Sequence, residues 1–345
     1  MKPTFDPTRW KNAQLAAKPR FAFEAQNKAD ARRWQAQLRR RVKARLGGFP
    51  NQKTNLRARV LRRSEQSEYS QEEIALQSRD SLEVFGYFLL PKNTSGPLPT
   101  LLCLHGHGMG VNPLVGLDHD GQPLQTLDYL HGFAIQAVKR GYAVFAPELL
   151  GFGRRREGEI ENPHQSSCQT LAGTALMLGQ TLLGWRVYDT MRVLDYLQTR
   201  PEVDAKRFGV IGISGGGTNA LFLSALDARI KATVISGYTN TFRDSICAVP
   251  HCIDNFVPGL LQDAEMSDIA GLVAPRALWC ENGDADPIFP VAAFRQTLHD
   301  VKRIYKVWGA QAQCSGEVFE GEHQFHGVGA WKFLTKNLRA MRPEP

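Results

Sequence analysis

Residues 208–226 read FGVIGISGGGTNALFLSAL. The run FGVIGI is continuously apolar, as expected of a parallel strand buried on both faces. The segment from Gly216 onward is small and apolar at helical spacing. Between the two lies Gly212-Ile213-Ser214-Gly215-Gly216, which fits G-x-S-x-G in the strand-to-helix setting that a nucleophile elbow requires. Such a turn is too tight for side chains two positions either side of the serine, which accounts for glycine at 212 and 216. It lifts the Ser214 hydroxyl to a helix N-terminus, where backbone N–H groups can stabilise a developing oxyanion.

Working outward, the patterning predicts strands at 57–63, 69–78, 82–90, 100–104, 142–147, 208–213, 231–235, 277–280 and 317–320. Helices are predicted at 31–47, 126–140, 185–199, 216–226, 291–304 and 328–338, with a small-residue apolar helix at 171–183. Strands alternating with helices imply an α/β fold, a mainly parallel sheet covered on both faces. The expected organisation is a basic helical extension over 1–55 and a catalytic domain over 56–345 with loop insertions around 148–183 and 238–275.

The 345 residues are 43% hydrophobic and 22% charged, which excludes wholesale disorder and a small disulfide scaffold. No apolar run is long enough to span a bilayer, and the N-terminus has no apolar signal core. The six cysteines are scattered, and Cys247 and Cys252 lack a second pair to complete a zinc site. A reduced cytoplasmic protein with no membrane partner is expected. The net charge of +8 is uneven: residues 1–63 hold eighteen Lys/Arg and three acids, net +15, leaving the remainder at −7. Trp34, Leu38, Val42 and Leu46 form an apolar stripe on the basic segment. This predicts a helix docked on the core with its arginines on the solvated face, and no nucleic-acid partner.

A nucleophilic serine needs a base, and the base an orienting carboxylate. The loop after strand 277–280 supplies Asp284 and Asp286, and the loop after strand 317–320 supplies His323 and His326. Asp286 precedes Pro287, whose ring favours an extended conformation, and is preferred. His323 follows its strand directly and is preferred over His326, which suits helix entry or pocket lining. The third loop, LHGHGMG (104–110), offers backbone N–H groups, and the oxyanion donors are assigned to the amides of His107 and Gly215. His105 and His107 alone do not make a metal site, since two more ligands are wanting at metal spacing. No metal or other cofactor is expected. Tyr238, Phe242, His251, Asn255 and Phe256, with His326, are candidates for the substrate cleft, and Arg154–Arg156 read as a solvated turn.

With these residues in hand, the chain from about 98 to 340 resembles the α/β-hydrolase superfamily, and within it the bacterial dienelactone-hydrolase-like and acetyl-xylan-esterase-like serine hydrolases. The likeness rests on LHGHGMG (104–110), DYLHGFAIQAVKRGYAVFAPELLGFG (128–153), LLGWRVYDTMRVLDYLQTRPEVD (182–204), RFGVIGISGGGTNALFLSALDARIKATVISGY (207–238), HCIDNFVPGLL (251–261), DPIFP (286–290) and EGEHQFHG (320–327). It implies Ser214 as nucleophile, Asp286 as acid and His323 as base, acting on a small-molecule ester through an acyl-enzyme. Glu148 and Glu322 replace a more usual Asp and Gly. Serine rather than cysteine at the elbow means that a dienelactone substrate is not implied. The rival classes are a peptidase of the same fold and a non-catalytic binding protein on the same scaffold.

Overall fold

Nine strands form one sheet in the order β1-β2-β3-β5-β4-β6-β7-β8-β9 in a computed structural model that describes residues 5–158, 162 and 164–339. Residues 159–161 and 163 of the predicted 148–183 insertion, and both extreme ends of the expected domains, lie outside the described residues. In chain order the elements are α1 (Thr8–Leu15), α2 (Lys28–Arg45), β1 (Arg59–Glu65), β2 (Tyr69–Arg79), β3 (Leu82–Pro91), β4 (Leu98–Leu104), α3 (Phe133–Lys139) and β5 (Ala143–Pro147). There follow α4 (Cys168–Met177), α5 (Leu182–Leu197), β6 (Val203–Ile213), α6 (Gly215–Leu226) and β7 (Ile230–Ser236). The chain then runs through α7 (Leu260–Asp263), α8 (Met266–Gly271), β8 (Ala277–Gly283), α9 (Val291–Val307), β9 (Cys314–Phe319) and α10 (Val328–Leu338).

The pairings among β1, β2, β3 and β5 are antiparallel, and those from β5 through β4, β6, β7 and β8 to β9 are parallel. The apolar runs are continuous because both faces are covered. In β4, Leu101 and Cys103 enter the layer beneath α3 and α10, while Leu102 and Leu104 enter the layer beneath α5 and α6. This is the period-2 alternation of a strand applied to two cores. β4 and β6 are in register, with Leu104 opposite Gly212, so both strands deliver their following loops to the same edge. That carboxyl edge is where open α/β sheets assemble their sites.

The predicted helix at 126–140 is shorter than expected. α3 starts at Phe133, because His131 and Gly132 both have positive φ. Asp128 instead closes a turn, its Oδ1 accepting the Leu130 amide at 3.0 Å. The apolar segment 171–183 is likewise divided, between the end of α4 and the start of α5. Thr181 caps α5 by accepting the Gly184 amide at 2.9 Å.

The basic helix α2 docks through the predicted stripe, with Trp34, Leu38, Val42 and Leu46 all buried. Its arginines do not all face solvent. Arg39 donates to the carbonyls of Ala225 (3.0 Å) and Leu272 (2.6 Å), near the ends of α6 and α8, where a cation complements the helix dipole. Arg41 and Arg45 converge on the buried Asp263 at 2.7 and 2.6 Å. Much of the positive run is thus spent on anchoring α2. Among the described residues, no helix is long and apolar enough to cross a membrane.

Leu38→Ala should therefore cost about 2–5 kcal/mol in urea unfolding, as a buried truncation does. Arg40→Ala, on the exposed side of the same helix, should change stability by less than about 0.5 kcal/mol.

Candidate active site

The elbow is formed by close backbone passage. A Cβ on Gly216 would collide with the carbonyl of Leu104, and one on Gly212 with the carbonyl of Gly216. Ser214 occupies φ 54°, ψ −124°, a region costly for a residue with a side chain. It is held there because its amide donates to Ser236 on β7 (3.1 Å) and its carbonyl accepts the Thr218 amide (2.9 Å).

Asp286 and His323 meet across the β8 and β9 loops, with His323 Nδ1 2.7 Å from Asp286 Oδ2. The other carboxylate oxygen accepts the amides of Ile288 (2.8 Å) and Phe289 (3.0 Å), which fixes the acid before it meets the imidazole. His323 stacks on Tyr129 and on Phe289, with centroids 5.8 and 5.5 Å apart. Its Nε2 is buried without a hydrogen-bond partner. Gly237 makes room for the ring, since a Cβ there would stand 2.9 Å from His323 Cε1.

The alternatives occupy other places. Asp284 accepts the Gly321 amide at 3.0 Å and so ties the two loops together. His326 stacks on Phe319 and donates its amide to Glu281 at 3.1 Å.

The loop after β4 is fastened from two sides. His105 is fully buried, with Nε2 accepting the Leu149 amide (3.0 Å) and Nδ1 2.7 Å from the Gly106 carbonyl. Glu148 accepts the Val111 amide at 2.9 Å. Tyr129 donates its hydroxyl to the His107 carbonyl at 2.6 Å and thereby sets the tilt of that peptide. Gly106 is the meeting point. A Cβ on it would lie 3.0 Å from Ser214 Cβ and would collide with the hydroxyl of Tyr129, whose ring stacks on His323. The His107 ring lies along the elbow, 3.0 Å from where a Cβ on Gly215 would sit.

Behind His107 is a buried charged group. His107 Nε2 is 3.1 Å from Asp254 Oδ2, and Asp254 also pairs with the buried Arg186. Burial alone would raise the Asp254 carboxyl, but Arg186 and His107 hold it well below the usual carboxylate range. Burial opposes a proton on His107, yet Asp254, with help from Cys168, lifts it to about 9. Sequence reasoning missed Tyr129, Arg186 and Asp254 as site-builders. The signals for Tyr129 were the neighbouring Asp128 and His131-Gly132, which mark a turn rather than a helix.

The cleft candidates separate. Tyr238 and Phe242, 1% and 4% exposed, pack in the core beneath the elbow and so have no surface to offer a substrate. Asn255 is buried too, with Oδ1 accepting the Thr218 hydroxyl (2.9 Å) and Nδ2 donating to Asp254 (3.0 Å). His251 is half-buried, 3.1 Å from Ser245 Oγ and edge-on to Phe289. Phe256 is exposed. The Arg154–Arg156 segment is not simply a solvated turn, because Arg155 is buried against Asp189 (2.7 Å) and the Glu148 carbonyl (3.0 Å).

The fold is that of the α/β hydrolases, and the chain belongs to the Abhydrolase family, whose model matches residues 12–310. The match takes in α2, Ser214 and Asp286 and stops before His323. The chain is 29% identical over 318 residues to YtaP of Bacillus subtilis strain 168, provisionally named a hydrolase; the alignment covers 88% of this chain and 99% of that one. In structure it is similar to a protein of Bacteroides fragilis provisionally named an acetyl xylan esterase (TM-score 0.76, 21% identity, 92% of this chain and 83% of that chain). It is also similar to a glucuronoyl esterase from Solibacter usitatus (TM-score 0.63, 15% identity, 91% and 97%).

The elbow makes a sharp expectation for glycine. Gly216→Ala should destabilise by about 1–3 kcal/mol or more, since backbone must shift to admit the methyl group. Gly173→Ala, inside α4 with open space around it, should be neutral or stabilising by up to about 1 kcal/mol. Urea denaturation of the two variants checks both.

Proposed function

We propose that the protein is a serine esterase that removes small acyl groups, acetyl-like in size, from carbohydrate-type alcohols. Ser214 attacks the ester carbonyl while His323 Nε2 takes the hydroxyl proton. Asp286 keeps the Nδ1 proton of His323 in place and stabilises the imidazolium as it forms. The amides of His107 and Gly215 donate to the oxyanion of the tetrahedral intermediate. Collapse breaks the ester C–O bond, and His323 passes its proton to the leaving alcohol. Water then repeats the sequence on the acyl-enzyme, releasing the carboxylic acid and regenerating Ser214.

The observation that carries this reading is the 2.7 Å contact between His323 Nδ1 and Asp286 Oδ2, with the opposite nitrogen buried and unbonded beside the elbow. An imidazole so arranged has its tautomer set on one side and proton-accepting capacity on the other. The carbohydrate alcohol is suggested by the neighbour named for acetyl xylan esters.

Hydrolysis of p-nitrophenyl acetate and of acetylated xylan tests the proposal. Ser214→Ala and His323→Ala should each lower kcat/KM by about 10⁴-fold or more, and Asp286→Asn by about 10⁴-fold, with unchanged circular dichroism. A folded Ser214→Ala protein that keeps wild-type turnover would refute it.

A further inference from the structure

Four potential metal ligands from three separate segments come together beside the elbow. They are His107 from the loop after β4, Cys168 at the start of α4, and Cys252 and Asp254 from the loop between β7 and α7. One ligand atom from each lies within 4.8 Å of all the others. We propose that these four side chains form a closed structural site for a thiophilic divalent cation, with Zn²⁺ the best match, that clamps both insertions to the loop after β4.

The donor set favours zinc. Two sulfurs, one imidazole nitrogen and one carboxylate oxygen make a four-coordinate S₂NO set, and thiolate ligands select against Mg²⁺ and Ca²⁺. Cys168 and Asp254 are buried, which suits a closed site rather than one that presents an open position to substrate. His107 Nε2 is buried and, although 3.1 Å from Asp254, forms no properly directed hydrogen bond. A metal ion between the two would use both lone pairs.

Outer contacts of the kind that orient metal ligands are also in place. Arg186 donates to Cys168 Sγ at 3.0 Å and pairs with Asp254, and Asn255 Nδ2 donates to the second Asp254 oxygen at 3.0 Å. Charge closes as well. Two thiolates and one carboxylate carry −3, which Zn²⁺ and the Arg186 guanidinium cancel, so the buried assembly is neutral. Binding Zn²⁺ forms two Zn–S, one Zn–N and one Zn–O bond. The two protons held by the Cys168, Cys252 and His107 side chains leave to solvent. No redox change occurs, and no step of ester hydrolysis passes through the ion.

The test uses full-length protein, reduced and stripped of metal. Added Co²⁺ should give tetrahedral d–d bands and a thiolate-to-cobalt charge-transfer band, saturating at one ion per chain and displaced by Zn²⁺. Zn²⁺ should protect the partly exposed Cys252, mapped by mass spectrometry, from iodoacetamide while leaving Cys247 unchanged. It should also raise the Tm of wild type, as a ligand specific to the folded state does. Cys252→Ser should lose the charge-transfer band and the Tm increase, and Cys247→Ser should keep both. Asn255→Ala should weaken Zn²⁺ binding by about 10–100-fold. Absence of a sulfur-to-cobalt band in reduced wild type, or unprotected Cys252 under saturating Zn²⁺, overturns the proposal even if a variant fails to fold. These readouts do not depend on turnover, so the esterase reading and the metal site stand or fall separately.

Discussion

Where α6 leaves β6, its first turn runs against the end of β4 so closely that the carbonyl of Leu104 occupies the space a Gly216 side chain would need. The register of Leu104 opposite Gly212 brings the two strand ends together, and the glycines let backbone touch backbone. Ser214 is thereby forced into positive φ, with its main chain bound on both sides. Strain of this kind persists only where the surroundings over-determine it. Here two packed cores, one on each face of the sheet, supply that constraint.

The loops around the elbow are held mainly by polar contacts, in contrast to the apolar packing beneath them. His105 and Glu148 secure the loop after β4 from below, and Tyr129 secures it from the side. Arg155 with Asp189 ties the β5–α5 insertion to α5, and Asp254 with Arg186 ties the β7–α7 loop to the same helix, both as buried pairs. Buried ion pairs are weak sources of stability because desolvation offsets their attraction, but breaking one partner is costly. Their effect here is positional: each fastens irregular chain to a defined point on α5, where apolar packing alone would tolerate several arrangements.

The apolar runs of the sheet, β4 and β6 among them, were legible because strands buried on both faces leave few alternatives, whereas their pairing and register came only with the fold. The preference for Asp286 over Asp284 rested on Pro287 together with the resemblance, and the two carboxylates lie in different places, one against His323 and the other bridging to Gly321. Periodicity overextended the helix before Lys139, because Leu127 and Leu130 fit helical spacing while local turn chemistry at Asp128 and positive φ at His131 and Gly132 decide otherwise. Convergence across distance was not legible. Cys168, Arg186 and Asp254 are separated by long stretches of chain, and only the tertiary fold brings them to His107. The basic run on α2 was read as a solvated face, but several of its arginines find helix-end carbonyls and Asp263 that no local pattern could reveal.

The strained Ser214 is proposed as a nucleophile served by His323. The most direct test is covalent trapping: incubation of the intact protein with a fluorophosphonate, then intact-mass and peptide mapping. One adduct per chain is expected, on the peptide containing Ser214, formed far more slowly in folded His323→Ala. A folded wild-type protein that takes up no label, or takes it up at another residue with Ser214 unmodified, would contradict it.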